Sequence, residues 1–367
     1  MLFRNSDQVG GSRGIKRPAT ELQKLTIYPA TQEQRLEIIK QTKDYTKDGR
    51  LTYWVLVPEH DKRTLDILSC CRTYRRDASI LHANSDTPAQ GFGYAIGTVV
   101  TPKKHRRQGY ANQMLTLLGR GHHALAPNVY PDPGVIIDIP PSVYPGAFSV
   151  LYSDVGAYYE RCGPAHGEIG WKVQNPISTI WQLSEAHPVL SNQSGLSPEV
   201  QLLSQEEVTT LLSSDVPDWE TLPRTPDTTY VSFSPSAVPN LHLMTRSTIH
   251  PLHNKSSDVF WGAKMTSNGH FITWAFDYSS PLTLVITRIN TDSSTLPILL
   301  LAALKAGEAQ RCEQAEVWNL PEELLEEARR IGGKTHERAL HLPAIRWYGP
   351  EPAEKVVWMR NEYYSWT

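Results

Sequence analysis

Apolar and polar positions in this chain fall into short alternating runs, separated by stretches with a three-to-four-residue apolar period. Leu25-Thr26-Ile27-Tyr28 reads as a short strand. Thr31 then caps a helix running to Lys43, with Gln34 as its reciprocal capping partner. Residues 51–57 form a strand ended by Pro58. Residues 63–75 predict a second helix, with Leu65, Leu68 and Thr73 near one face. An apolar strand over 94–100 leads through a basic turn into a helix over 111–118. A loop containing Pro127, Pro131 and Pro133 follows, and 135–139 adds a strand. Residues 148–152 predict a further strand, after which Ser153 or Asp154 caps a helix that stops at Gly163.

Strands and helices in this order make an α/β or α+β layered domain ending near Val173. Residues 175–199, with three prolines and many Ser and Asn, read as a connecting segment. Beyond it, 259–265, 270–276 and 282–289 predict strands. A helix over 296–310, a strand over 315–320, a helix over 322–331 and a last strand over 356–360 complete the pattern. This strand, helix, strand, helix order echoes residues 94–163, as a degenerate copy of one fold or as an unrelated α/β domain. The resulting division is a disordered tail at 1–22, a first domain at 23–174, the connecting segment, and a second domain at 200–367.

At 367 residues and 40% hydrophobic content the chain is long enough for two cores. A net charge of −2 excludes a protein committed to nucleic acid or to acidic membranes. No apolar run approaches a membrane span; the longest, 298–304, reads as a buried helix. Cys70, Cys71, Cys162 and Cys312 are spaced neither as a zinc site nor as a disulfide framework, and no metal is expected. The first twenty residues are rich in Gly, Ser and Arg. Asp7 is their one acidic residue, as in a transit segment, but Gly10-Gly11 and the lack of an amphipathic pattern favour a disordered tail. The chain reads as intracellular and cytoplasmic.

Against this neutral background the turn Arg106-Arg107-Gln108-Gly109-Tyr110-Ala111 stands out. A strand, a basic turn and a helix start aim several backbone N–H groups at one point, a cradle suited to a pyrophosphate. Gly109 lets the backbone approach a ligand, Ala111 keeps the first helical turn small, and Lys103, Lys104, Arg106 and Arg107 add positive charge. A basic run is equally a solvated surface or a nucleic-acid patch. The near-neutral whole favours a small anionic ligand.

The spacing Arg106-x-x-Gly109-x-Ala111 after an apolar strand resembles the acetyl-CoA loop of the GNAT superfamily of N-acetyltransferases. The resemblance implies a mixed sheet flanked by helices and acetyl-CoA as cofactor. By it, the backbone of Arg106, Arg107, Gln108, Gly109, Tyr110 and Ala111 would hold the pyrophosphate, and Val99, Val100 and Thr101 would pair with the pantetheine arm. Ser153, ending the strand across that arm, joins the cofactor contacts. Tyr159, four residues before Gly163, matches the tyrosine that protonates the departing thiolate, with Tyr158 the one-residue alternative. A phenol of pKa about 10 can supply that proton, although a thiol of pKa about 8.5 need not demand it.

Trp54-Val55-Leu56-Val57, Ser149-Val150-Leu151-Tyr152-Ser153-Asp154, Gly170-Trp171 and Asn361-Glu362-Tyr363-Tyr364-Ser365-Trp366 together resemble the fungal lysine N6-acetyltransferase family over nearly the whole chain. The implied reaction is direct transfer of acetyl to the side-chain amine of free lysine or a related small amine. Two features depart from that family. Only residues 44–53 separate the first helix from the Trp54 strand, and Cys71-Arg72-Thr73 stands where Cys-Glu-Thr is expected. Arg72 either remodels the acceptor site or points to water. An amine must lose a proton before attack, and 94–100 holds no carboxylate. The candidate bases are Asp154, Asp138 and His166, with Asp154 preferred although it also suits a helix cap. A backbone N–H near Val99–Val100 is the expected donor to the acetyl oxygen. The acidic turn Asn290-Thr291-Asp292-Ser293-Ser294 would repel a pyrophosphate, so no second cofactor site is expected.

Overall fold

The computed structural model describes residues 25–29, 50–123, 146–165, 167–186, 190, 197–222, 225–235, 237–248, 250, 252–254 and 258–366. The N-terminal tail, the helix expected over 31–43, the strand over 135–139, and Asp138 and His166 lie outside the described residues.

Two mixed sheets carry the molecule. In the nine-stranded sheet, β1 (Leu25–Pro29), β2 (Leu51–Pro58), β3 (Ser69–Leu81), β4 (Ala89–Val100) and β5 (Phe148–Ser153) lie side by side, followed by β15 (Leu342–Trp347) and β6 (Lys172–Val173). β9 (Thr229–Phe233) pairs with the far half of β3, and β16 (Val356–Trp358) pairs with β9. Helix α1 (Tyr110–His123) connects the parallel neighbours β4 and β5. The seven-stranded sheet runs β14 (Lys334–Glu337), β7 (Ile177–Gln182), β13 (Gln314–Trp318), β12 (Thr283–Asn290), β11 (Phe271–Asp277), β10 (Gly262–Met265) and β8 (Val200–Leu203). Helices α2 (Gln205–Ser213), α3 (Ala237–Thr248), α4 (Leu296–Ala309) and α5 (Leu325–Arg330) accompany it. The α4 sequence is apolar on nearly every face, and eight of its residues from Leu296 to Gly307 are buried, so it forms the centre of the second core.

The helix predicted over 63–75 is not there. Ser69 begins the strand β3, whose buried positions alternate through Cys71 and Thr73 and then, on the other face, through Tyr74, Arg76, Ala78 and Ile80. Its Arg and Asp residues mimic a polar helix face, but pairing with β2 on one side and β4 on the other overrides that local pattern. The connecting segment is corrected too. It contains β7, which is held between β13 and β14 in the second sheet. In return, β15 pairs along the whole of β5, from Leu342 opposite Ser153 to Trp347 opposite Phe148. The halves therefore exchange strands, because each parallel pair leaves an edge that only an antiparallel strand from the other half covers. The last strand, predicted over 356–360, stops at Trp358 and joins the first sheet, not the second.

The second half repeats the local plan of the first. β4 is antiparallel to β3 and parallel to β5 across α1; β12 is antiparallel to β11 and parallel to β13 across α4. The C-terminal segment locks the halves together. Buried Arg288 on β12 pairs with Asp215 at 2.7 Å and with Glu362 at 3.0 Å. The Arg76 guanidinium, from β3, donates to the Tyr364 carbonyl at 2.9 Å and lies over the Phe233 ring.

Candidate active site

The site begins where β4 and β5 part. They pair only from Gly93 opposite Phe148 to Ile96 opposite Leu151, although β4 continues to Val100 and β5 to Ser153. Along β3, Cys70 opposes Val100 while Arg72 opposes Gly97, two steps against three, so β4 carries one extra residue. Thr98 absorbs it at φ 53°. A bulge of this kind bends the strand and interrupts its pairing. Val99, Val100 and Thr101 thus follow the point where β4 leaves β5, on an edge that β5 does not cover. Ser69 pins the end of that edge, its hydroxyl donating to the Val100 carbonyl at 3.2 Å and lying 3.1 Å from the Thr101 hydroxyl.

The edge leads into the basic turn. Lys103–His105 forms a single 3-10 turn, then Arg107 at φ 64° and Gly109 at φ 82° reverse the backbone twice before α1 starts. Alternating backbone hands of this sort turn successive N–H groups toward one concavity. The first internal bond of the helix runs from the Gln113 N–H to the Gly109 carbonyl at 3.0 Å. That leaves the amides of Tyr110, Ala111 and Asn112 without an intrahelical acceptor, and no acidic residue occupies this first turn. Of the loop cations, Lys104 is tied to Asp66 at 2.6 Å, and the Arg106 Nε donates to the Thr101 carbonyl at 3.1 Å. Arg106, Arg107, Gln108 and Gly109 are exposed. These residues fit a pyrophosphate.

Across the opening, the helix expected after β5 is a short 3-10 segment over Gly156–Arg161, started by Val155 with no side-chain cap. Neither Ser153 nor Asp154 caps it. The Ser153 hydroxyl is spent in its own turn, accepting from the Val155 N–H and donating to the Gly156 carbonyl at 2.6 Å. The segment is brief because the Gly170 and Trp171 N–H groups take the carbonyls of Glu160 and Tyr159 at 2.8 and 3.0 Å. That closure requires glycine at 170, where a Cβ would lie 2.3 Å from the Tyr159 carbonyl oxygen.

Tyr158 and Tyr159 stand edge to face at 5.3 Å, both half-buried. Tyr159 packs on the cluster holding Leu151, Cys162 and Trp171, which Val99 and Tyr110 also touch. Burial pushes both phenols up, Tyr159 the further, and both remain protonated at neutral pH. Asn112 joins the two sides of the site, its amide donating to the Arg161 carbonyl at 3.0 Å.

Asp154 lies at the end of β5, where its Oδ1 takes the His341 backbone N–H at 2.9 Å and His341 Nδ1 at 3.0 Å. Burial opposes its ionisation, yet the His341 contacts prevail and hold its carboxyl below the usual range. His341, at φ 52°, stacks on Trp318 and meets Trp366 edge to face. The sequence reading missed His341 because the pairing of β5 with β15 alone brings it to Asp154. Arg72, on β3 opposite Gly97, is half-buried on the sheet face that also carries Tyr152.

At the equivalent place in the second half, the start of α4 is filled from within. The Asp292 carboxylate accepts from the Thr295 and Ser294 N–H groups, each at 2.9 Å, and from both hydroxyls. These bonds pull its pKa down to about 2. A chain carboxylate already sits where a pyrophosphate would have to bind.

Comparison with known families bears on the second half first. A family model described as the LYC1 GNAT-like C-terminal domain matches residues 184–367, half of the chain. The chain belongs to the LYC1 GNAT-like family. Its second half is a GNAT-like domain, and the two-sheet architecture is that of two-domain GNAT proteins. A probable N-acyltransferase from Enterococcus faecalis has the same fold at TM-score 0.50 and 9% identity, covering 89% of this chain and 72% of that one. A GCN5-related N-acetyltransferase from Anabaena variabilis aligns at TM-score 0.50 and 9% identity, covering 89% and 73%. No curated protein matches the chain. Membership of the GNAT superfamily makes this LYC1-family chain an acyltransferase by family. Among the described residues no helix is long and apolar enough to cross a membrane.

Proposed function

We propose that this protein is an acetyl-CoA-dependent N-acetyltransferase acting on a small-molecule amine, with free lysine or a related amino compound as acceptor. One observation carries the reading: the parted β4–β5 edge runs straight into a positive-φ turn and a helix start free of acid. Bound acetyl-CoA would supply the acetyl thioester. The backbone from Arg106 to Ala111 holds the pyrophosphate, and Val99, Val100 and Thr101 hold the pantetheine arm by strand-like bonds. A backbone N–H at Val99–Val100 is the donor to the acetyl oxygen.

Tyr159 keeps its proton and gives it to the departing sulfur. Asp154 acts through His341: it fixes the ring at Nδ1, leaving Nε2 as the nitrogen that takes the proton from the ammonium. Asp154→Asn should therefore lower kcat while leaving the affinity for CoA in place.

The test is thiol release from acetyl-CoA across free amino acids, polyamines and lysine-containing peptides. Turnover with small amines supports the proposal. Acetyl-CoA binding without thiol release from any of them overturns it in favour of an acyl-CoA-binding protein without activity.

A further inference from the structure

A second polar site lies on the other face of β5. Leu151, the last β5 residue paired with β4, packs toward Tyr159, whereas Tyr152, the next, faces the second half. There the Arg338 guanidinium lies 3.7 Å from the centre of the Trp318 ring. Arg338 is only 7% exposed, and among the described residues none of its three side-chain nitrogens has a hydrogen-bond partner. Glu316, whose charge acts on this guanidinium, takes the Ser178 hydroxyl and the Trp318 indole N–H on its Oε1. The Tyr152 hydroxyl, beside this guanidinium, is buried within reach of the equally buried Ser365 hydroxyl, and among the described residues neither has a further partner.

The shortage is one-sided. A guanidinium has donors only, and of two hydroxyls bonded to each other one still has a proton to give. Glu316 acts on the guanidinium through its charge but accepts none of its hydrogens, so the buried fork lacks an acceptor of its own. Arg presents a planar fork that matches a carboxylate, and Trp318 and Tyr363, whose rings are 4.5 Å apart, wall the place with apolar surface. His341 stacks on the same Trp318, which sets this cluster beside the Asp154–His341 pair. Burial draws the Arg338 pKa down to about 10, which still leaves it charged at neutral pH.

We propose that Arg338, with the Tyr152 and Ser365 hydroxyls, binds the carboxylate of the acceptor, so that the protein selects amines that also carry a carboxyl group. The proposal rests on the N-acetyltransferase reading for its acceptor, and the site itself is testable without turnover. Arg338 comes from the second half and Tyr152 from the first. The strand exchange that brings β15 to β5 is therefore what assembles the site.

The experiment uses the full chain and two readouts. Steady-state thiol release should favour lysine over 1,5-diaminopentane, which lacks only the carboxylate, by roughly 100-fold in kcat/KM. Arg338→Gln should bring the lysine value down to the diamine value through KM. Calorimetry should show norleucine, which cannot accept acetyl at an ε-amine, binding the wild type, with loss of binding in Arg338→Gln and for norleucinamide. If Arg338→Gln does not fold, Arg338→Lys and Tyr152→Phe take its place, each with a roughly tenfold loss of lysine preference. A wild type indifferent to the carboxylate, or a variant that keeps the preference, overturns the proposal. Norleucine binding without any amine turnover supports the carboxylate site and instead removes the acetyltransferase reading. Absence of norleucine binding alongside amine turnover removes the carboxylate site alone.

Discussion

Tyr159→Phe separates proton donation from packing. The Tyr159 ring fills the cluster around Cys162 and Trp171, and its carbonyl anchors the Cys162 and Trp171 N–H groups at 3.1 and 3.0 Å. Phenylalanine keeps all of these, so the loss of stability should stay under about 1 kcal/mol. The hydroxyl alone is removed. Proton donation by a positioned acid is worth about 100-fold or more, but a thiol of pKa about 8.5 leaves well unaided. The expected loss is therefore roughly 10- to 100-fold in kcat, ~1.4 to 2.7 kcal/mol of barrier. KM for acetyl-CoA should hardly move, because the ring still packs on the buried cluster that Val99 also touches. Burial pushes the phenol above its ordinary value, so the wild-type rate should show no loss of this acid below about pH 10. Thiol release measured for the wild type, Tyr159→Phe and Tyr158→Phe decides the matter. An unchanged kcat in Tyr159→Phe, or an equal loss in Tyr158→Phe, refutes the assignment.

Gly109→Val places a branched side chain at φ 82° within the basic turn, a strain of about 1–2 kcal/mol; CoA affinity, read by calorimetry, should fall at least about tenfold. Gly269→Val, at φ 79° in a turn of the second half, imposes similar strain and should leave CoA affinity alone. Asp292 titrates near 2 in the folded chain and near 3.9 when unfolded. Its ionised form favours the fold, so that stability is full above the unfolded value and is lost as pH falls toward 2. Asp292→Asn should flatten this part of the thermal-stability profile between pH 4 and pH 2, and an unchanged slope would show that the α4 cap is energetically idle.

What was legible in the sequence is what depends on neighbours along the chain. The turn from Arg106 to Ala111 could be read because a strand end, two positive-φ positions and a helix start lie within a few residues. The apolar run of α4 announced a buried helix, and the acidic turn before it was legible because capping by Asp292 is local chemistry. β3 was misread because its alternating burial comes from two flanking strands that its own residues do not reveal. The connecting segment hid β7 for the same reason. Tertiary structure alone decided that Asp154 meets His341 instead of capping a helix, and that Arg338 lies beside Tyr152. Both contacts join residues far apart in sequence, and they exist because β15 leaves its own half to pair with β5. Spacing along a chain records local geometry. Which distant strand covers an open sheet edge is settled by backbone pairing and burial across the whole molecule.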